Sequence, residues 1–210
     1  MSRHETLHPG VNLGATDPET HLDAEPVVFG FWVFLMADLV LFALLFATYG
    51  SMVRHGVADG PGPAELFDLG LPLAMTLVLL VSSFFAGMMV LHVKYDEGVA
   101  SVLLKLGLTL GLGVAFLALE GLDFRRLIVE DGAPPQRSGF LSIYFLLTGT
   151  HFLHVAAGCA WGAILGLQTL LWGLEGRMKL RLMRFGLYWH MLDVVWVGIF
   201  TCVFLIGTLA

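Results

Sequence analysis

Charge is scarce in this sequence. Asp, Glu, Lys and Arg make up 13% of its 210 residues, against about 25% in an ordinary soluble domain. Lys and Arg together number 11 and form no basic stripe, which excludes a nucleic-acid-binding surface. Cysteine is nearly absent: Cys159 and Cys202 both fall in apolar runs and read as small hydrophobes, not as a disulfide or a metal pair. No HExxH, CxxC or CxxCH pattern occurs. The first residues lack the basic start and apolar core of a signal peptide, so the first apolar run is expected to insert uncleaved. There is no internal repeat and no low-complexity segment.

Apolar residues fill the chain instead, at 57%, with a mean hydropathy of +0.82. A bilayer core of roughly 30 Å needs about 20 apolar residues of helix. Such stretches run from Val27 to Met52, Leu69 to Val93, Val99 to Leu122, Phe140 to Leu171 and Phe185 to Leu209. The sequence therefore predicts an all-α, integral membrane five-helix bundle over residues 27–210, preceded by a polar, flexible cytoplasmic tail over residues 1–26. Pro134-Pro135 should stop helix before the fourth span, and the stretch from Gly173 to Arg184 reads as a basic loop. The tail, the second loop with its adjoining helix start, and the fourth loop hold Arg3, Lys94, Lys105, Arg177, Lys179, Arg181 and Arg184. The opposite side holds Arg54, Arg125, Arg126 and Arg137, so the positive-inside bias puts the N-terminus in the cytoplasm and the C-terminus in the periplasm.

A few ionisable groups interrupt these runs: Asp38 in the first, His151 and His154 in the fourth, His190 and Asp193 in the fifth. Each costs several kcal/mol at that depth unless neutralised or paired inside protein. At 1.5 Å per residue, His151 lies roughly 18 Å below the outer edge of its span and about 12 Å above the inner edge. Asp193, counted from Phe185, lies at about 12 Å too. A ladder pairing His151 with Asp193 and His154 with His190 is thus expected if the last helices are neighbours. Small residues repeat every four positions at Gly158, Gly162 and Gly166, and at Gly107 and Gly111, which predicts close helix approach there. Glu120 and Asp123 are expected at the outer interface, and Lys105 is expected to snorkel. Trp32, Trp172, Tyr188 and Trp189 are expected in the interfacial aromatic belt.

From the residues alone, several chemistries stay open for this set. Metal or haem ligation is one, although His151 and His154 on one helix cannot ligate a single haem from opposite faces. Proton handling is another, since Asp and His relays mark pumps and transporters. Hydrogen bonds that fix helix register are the third, and for the histidines the favoured one. A proton-coupled transporter would usually add repeats and broken helices around a central site. A membrane cytochrome b would need facing His pairs at matched depth.

Three segments carry a resemblance. Phe29 to Asp38 (FGFWVFLMAD), continuing to Tyr49, resembles the start of subunit III of bo-type ubiquinol oxidases, in the haem-copper oxidase superfamily. Arg137 to Ser142 followed by Gly149 to Val155 (GTHFLHV) is similar to that family's fourth-helix motif, and Tyr188 to Trp196 (YWHMLDVVW) to its last-helix signature. The likeness runs from about Val27 to the end. It implies a non-catalytic core subunit in a bacterial inner membrane. Haem and copper would sit in subunit I and none in this chain, which would pack on subunit I and the other oxidase subunits, bind phospholipid and support proton uptake. Asp38 stands where cytochrome c oxidase relatives carry a mid-helix glutamate, and the five spans contrast with seven in those relatives. A small accessory protein linked to nitric oxide reductase shares the shorter form.

Overall fold

In lipid every backbone polar group must be satisfied within the chain, which leaves helices as the solution for apolar runs of this length. The computed structural model describes residues 18–57, 62 and 66–209. The helices are α1 (Pro18–His55), α2 (Gly70–Tyr95), α3 (Val99–Arg125), α4 (Gly139–Trp172), α5 (Gly176–Ile199) and the short α6 (Ile206–Leu209). A π-helical turn, Arg126–Glu130, extends α3, and a second, Phe200–Leu205, joins α5 to α6. Five helices are long and apolar enough to cross a membrane, and no strand occurs among the described residues. The chain is a multi-pass all-α membrane bundle.

Two helix starts depart from expectation. α1 begins at Pro18, well before Val27, and runs through Pro26. Pro18 suits the first turn of the helix, where its missing N–H costs nothing. The rest of the expected tail lies outside the described residues. α5 begins at Gly176, so Arg177 to Arg184 is helix and not loop. Lys179 is buried there and reaches Asp96 at 3.0 Å, tying the α2–α3 turn to the start of α5. That turn is tight because Asp96 and Gly98 both adopt positive φ, at 58° and 91°. At the head of α4, Ser138 caps the helix by accepting from the Leu141 N–H at 3.1 Å, just after Pro134-Pro135.

α5 is the central helix: half of its most apolar stretch is buried, against 11% for α1. α1 meets the bundle along a narrow stripe, Leu35, Phe42 and Tyr49, spaced seven residues apart. It packs chiefly against α4 and α5, while α2 and α3 form a hairpin.

Candidate functional site

His151 sits at the centre of the bundle with no exposed surface. Its Nε2 lies 3.2 Å from the Leu192 carbonyl, to which it donates. A carbonyl can only accept, so this bond sets the tautomer. Rings of Phe42, Phe116 and Trp196 surround the imidazole, with centroids 6.4, 5.7 and 5.2 Å away. His151 thus bonds backbone one residue before Asp193, not the Asp193 carboxylate.

His154, one turn on, faces α1. Its Nδ1 donates to the Thr150 carbonyl at 2.7 Å, which leaves Nε2 directed at Asp38 Oδ2, 3.9 Å away. That separation is beyond a direct hydrogen bond but is an ion-pair distance. Both side chains are mostly buried, and the Phe42 ring lies 5.3 Å from the His154 ring. Tyr188 on α5 donates its O–H to the His154 carbonyl at 2.9 Å. The α1 acid therefore finds its counter-group on α4, and three helices meet at this point.

The third polar group lies on another face. His190 Nδ1 is 2.7 Å from the hydroxyl of Ser83 on α2, and that hydroxyl is also within hydrogen-bonding reach of Asp193. Asp193 Oδ1 has no hydrogen-bond partner among the described residues. His190 is accordingly partnered by Ser83 and not by His154. The expected ladder between α4 and α5 is replaced by bonds from His151 and Tyr188 to backbone, and by two separate side-chain clusters.

Buried hydroxyls that the sequence reading passed over organise the rest. Trp189, fully buried and so not in an interfacial belt, donates its indole N–H to Ser82 at 3.1 Å, and Ser82 donates to the Thr109 carbonyl at 2.9 Å. Trp196 donates to Thr76 at 3.0 Å, which donates to the Pro72 carbonyl at 2.8 Å. Tyr188 is likewise buried, whereas Trp32 and Trp172 are exposed. Ser82-Ser83 within an apolar run was the available signal. Glu120 is also buried, 2% exposed, with both carboxyl oxygens unpartnered among the described residues, so it does not face the outer interface. Its neighbour Asp123 is half-buried and hydrogen-bonds Tyr144.

The glycines separate into two kinds. A Cβ on Gly162 would stand 2.6 Å from Leu110 and 2.9 Å from the Phe185 ring; on Gly158 it would meet Tyr188 and Trp189 at 3.1 Å; on Gly166 it would meet Leu106 at an ordinary 3.4 Å. Gly107 and Gly111 would meet nothing within 4 Å. The close approach on α3 is instead at Gly113, where an added Cβ would stand 2.7 Å from the Trp189 ring and 3.1 Å from Cys159 Sγ.

Residues 6–208 match the family model described as cytochrome c oxidase subunit III. The chain belongs to the cytochrome c oxidase subunit III family. It is 42% identical over 197 residues to the cytochrome bo(3) ubiquinol oxidase subunit 3 of Pseudomonas aeruginosa, covering 94% of this chain and 93% of the relative. It is 44% identical over 189 residues to the protein of that name from Pseudomonas putida, covering 90% of each. A probable quinol oxidase subunit 3 from Staphylococcus haemolyticus is 37% identical over 196 residues, covering 93% of this chain and 96% of the relative.

In this bundle the polar groups can hold helices in register and can hold or pass a proton. The described residues include no group of three or more His, Cys, Asp or Glu side chains that could hold a metal ion. His151, His154 and His190 are each engaged with a different helix, so they do not converge on one centre.

Proposed function

We propose that this chain is subunit III of a bacterial bo-type ubiquinol oxidase, a non-catalytic core subunit of the inner membrane. The complex oxidises ubiquinol, reduces oxygen to water and moves protons, with haem and copper in subunit I. The observation that carries this reading is near full-length similarity to chains named as cytochrome bo(3) ubiquinol oxidase subunit 3. Within the complex, this chain stabilises subunit I by direct packing, contacts phospholipid and supports proton uptake. Asp38, with its counter-group His154, is the residue pair suited to the last role: a carboxyl and an imidazole face each other at mid-span at an ion-pair distance of 3.9 Å. His151 serves register, and His190 with Asp193 serves the surface toward the complex. The N-terminus faces the cytoplasm. In support, the Lys179–Asp96 pair puts the basic start of α5 at the same end of the bundle as the α2–α3 turn.

The relatives' names favour this over an accessory role to a nitric oxide reductase. A proton-coupled transporter is disfavoured because the long helices run unbroken at mid-span, the π-helical turns lying at the ends of α3 and α5. The test is a pull-down from native membranes in mild detergent with a tag on the N-terminal residues, followed by a reduced-minus-oxidised spectrum and a quinol oxidase assay. A haem-bearing complex that reduces oxygen with quinol is expected. A colourless chain recovered alone refutes the proposal.

A further inference from the structure

One stretch of the bundle's outer surface is unsuited to lipid. Between α2 and α5 runs an open groove of about 520 Å³, lined by Leu80, Ser83, Phe84, Gly87, His190 and Asp193 among others. Its polar members lie near the midpoints of both spans, far from any headgroup. Hydrocarbon offers nothing to the groups there. Asp193 Oδ1 lacks a hydrogen-bond donor among the described residues. When His190 Nδ1 donates to Ser83 and Ser83 donates to Asp193, His190 Nε2 is left as a second acceptor beside Gly87, whose missing side chain keeps it open. The groove thus places a carboxyl and an imidazole at mid-membrane depth, groups that hydrocarbon cannot satisfy. The outer face of α1 offers the contrast: Val33, Val40, Leu41 and Leu44 are exposed there and apolar, and acyl chains satisfy them fully.

We propose that the α2–α5 groove is the docking surface for a transmembrane helix of the partner oxidase subunit, one that brings a hydrogen-bond donor or cationic side chain to mid-membrane depth against Asp193 and His190. The polar lining points to the partner's chemistry, because a carboxyl and an imidazole at this depth need hydrogen-bonding partners inside protein. The open form of the groove fits a helix better than a small molecule, which binding pockets normally enclose on most sides. The inference rests on the oxidase-subunit reading and specifies which surface of this chain meets the complex.

The test uses the tagged full-length chain in native membranes, with a photoreactive amino acid placed at Leu80 in the groove or at Leu44 on α1. Cross-linking from Leu80 to the haem-carrying subunit, identified by mass spectrometry, is expected, with lipid alone captured from Leu44. In parallel, Gly87→Trp, which fills the groove, and Asp193→Leu, which removes the acceptor, should each lower haem recovered with the tagged chain roughly tenfold. Val40→Trp on the outer face of α1 should leave it unchanged. Capture of the subunit from Leu44 with only lipid or quinone captured from Leu80 overturns the proposal. If the unmodified chain recovers no haem, the oxidase reading itself fails, a separate outcome.

Discussion

Gly113→Ala should be disproportionately costly for the addition of one methyl group. The new Cβ would lie 2.7 and 2.8 Å from two atoms of the Trp189 ring, where carbon atoms rest at about 3.5–4.0 Å. Trp189 cannot retreat freely. It is 1% exposed, the Phe185 ring stands 5.5 Å away, and its N–H is committed to Ser82. Overpacking of this kind costs ~1–3 kcal/mol, and displacing the indole also loses an interhelical hydrogen bond worth roughly 0.6 kcal/mol in membranes. We expect a loss of about 2 kcal/mol, near a thirtyfold change in the folding equilibrium. Trp189→Phe alone should also destabilise, but it withdraws the atoms that the new methyl strikes. Combined, the two substitutions should cost at least ~1 kcal/mol less than their sum, as expected for residues in contact. The assay is unfolding of the purified chain in mixed micelles by SDS titration, with Gly107→Ala as the unobstructed control. If Gly113→Ala is as stable as Gly107→Ala, or if the double substitution is additive, the steric argument is wrong.

Asp38→Asn should leave assembly intact while lowering sustained turnover or proton stoichiometry of the oxidase, because it keeps shape and removes the exchangeable proton; unchanged stoichiometry over many turnovers would reduce Asp38 to a packing role. His151→Phe keeps the ring among Phe42, Phe116 and Trp196 and loses the bond to Leu192. It should cost ~1 kcal/mol, against ~3 kcal/mol for His151→Ala, with oxygen consumption unaffected by the Phe change. Asp96→Ala should lower thermal stability more than Asp96→Asn. Alanine incurs roughly 1–2 kcal/mol of left-handed strain at φ 58°, and both changes weaken the ion pair with buried Lys179.

Hydropathy made the spans legible because lipid imposes one solution on long apolar runs. Axial level was legible too. Counting residues put His151 level with Asp193 and His154 with His190, and the observed bonds join His151 to Leu192 and Tyr188 to His154, within two residues of that register. Rotation about the helix axis was not legible. Each residue turns the direction by about 100°, so His190 points toward α2 while the Leu192 carbonyl, two residues on, meets His151. The depth of Trp189 was not legible for a different reason. Arg177, Lys179, Arg181 and Arg184 look like loop, yet Lys179 is neutralised by Asp96 and Arg181 bonds Gln168 at 3.0 Å, so helix continues through them. Gly113 was not legible as a contact because it lies outside the four-residue repeat of Gly107 and Gly111.

The thinly buried first helix bears on how the chain is made. α1 leaves the ribosome before α4 and α5, yet its contacts are chiefly with those two helices. Asp38 then waits in or near the translocon without His154 until α4 has been made, while the α2–α3 hairpin can close on its own. Bundle assembly is therefore not a march from the N-terminus. It begins in the middle of the sequence and finishes by recruiting its oldest helix, so a nascent chain arrested before α4 should hold α1 unassembled and open to quality control.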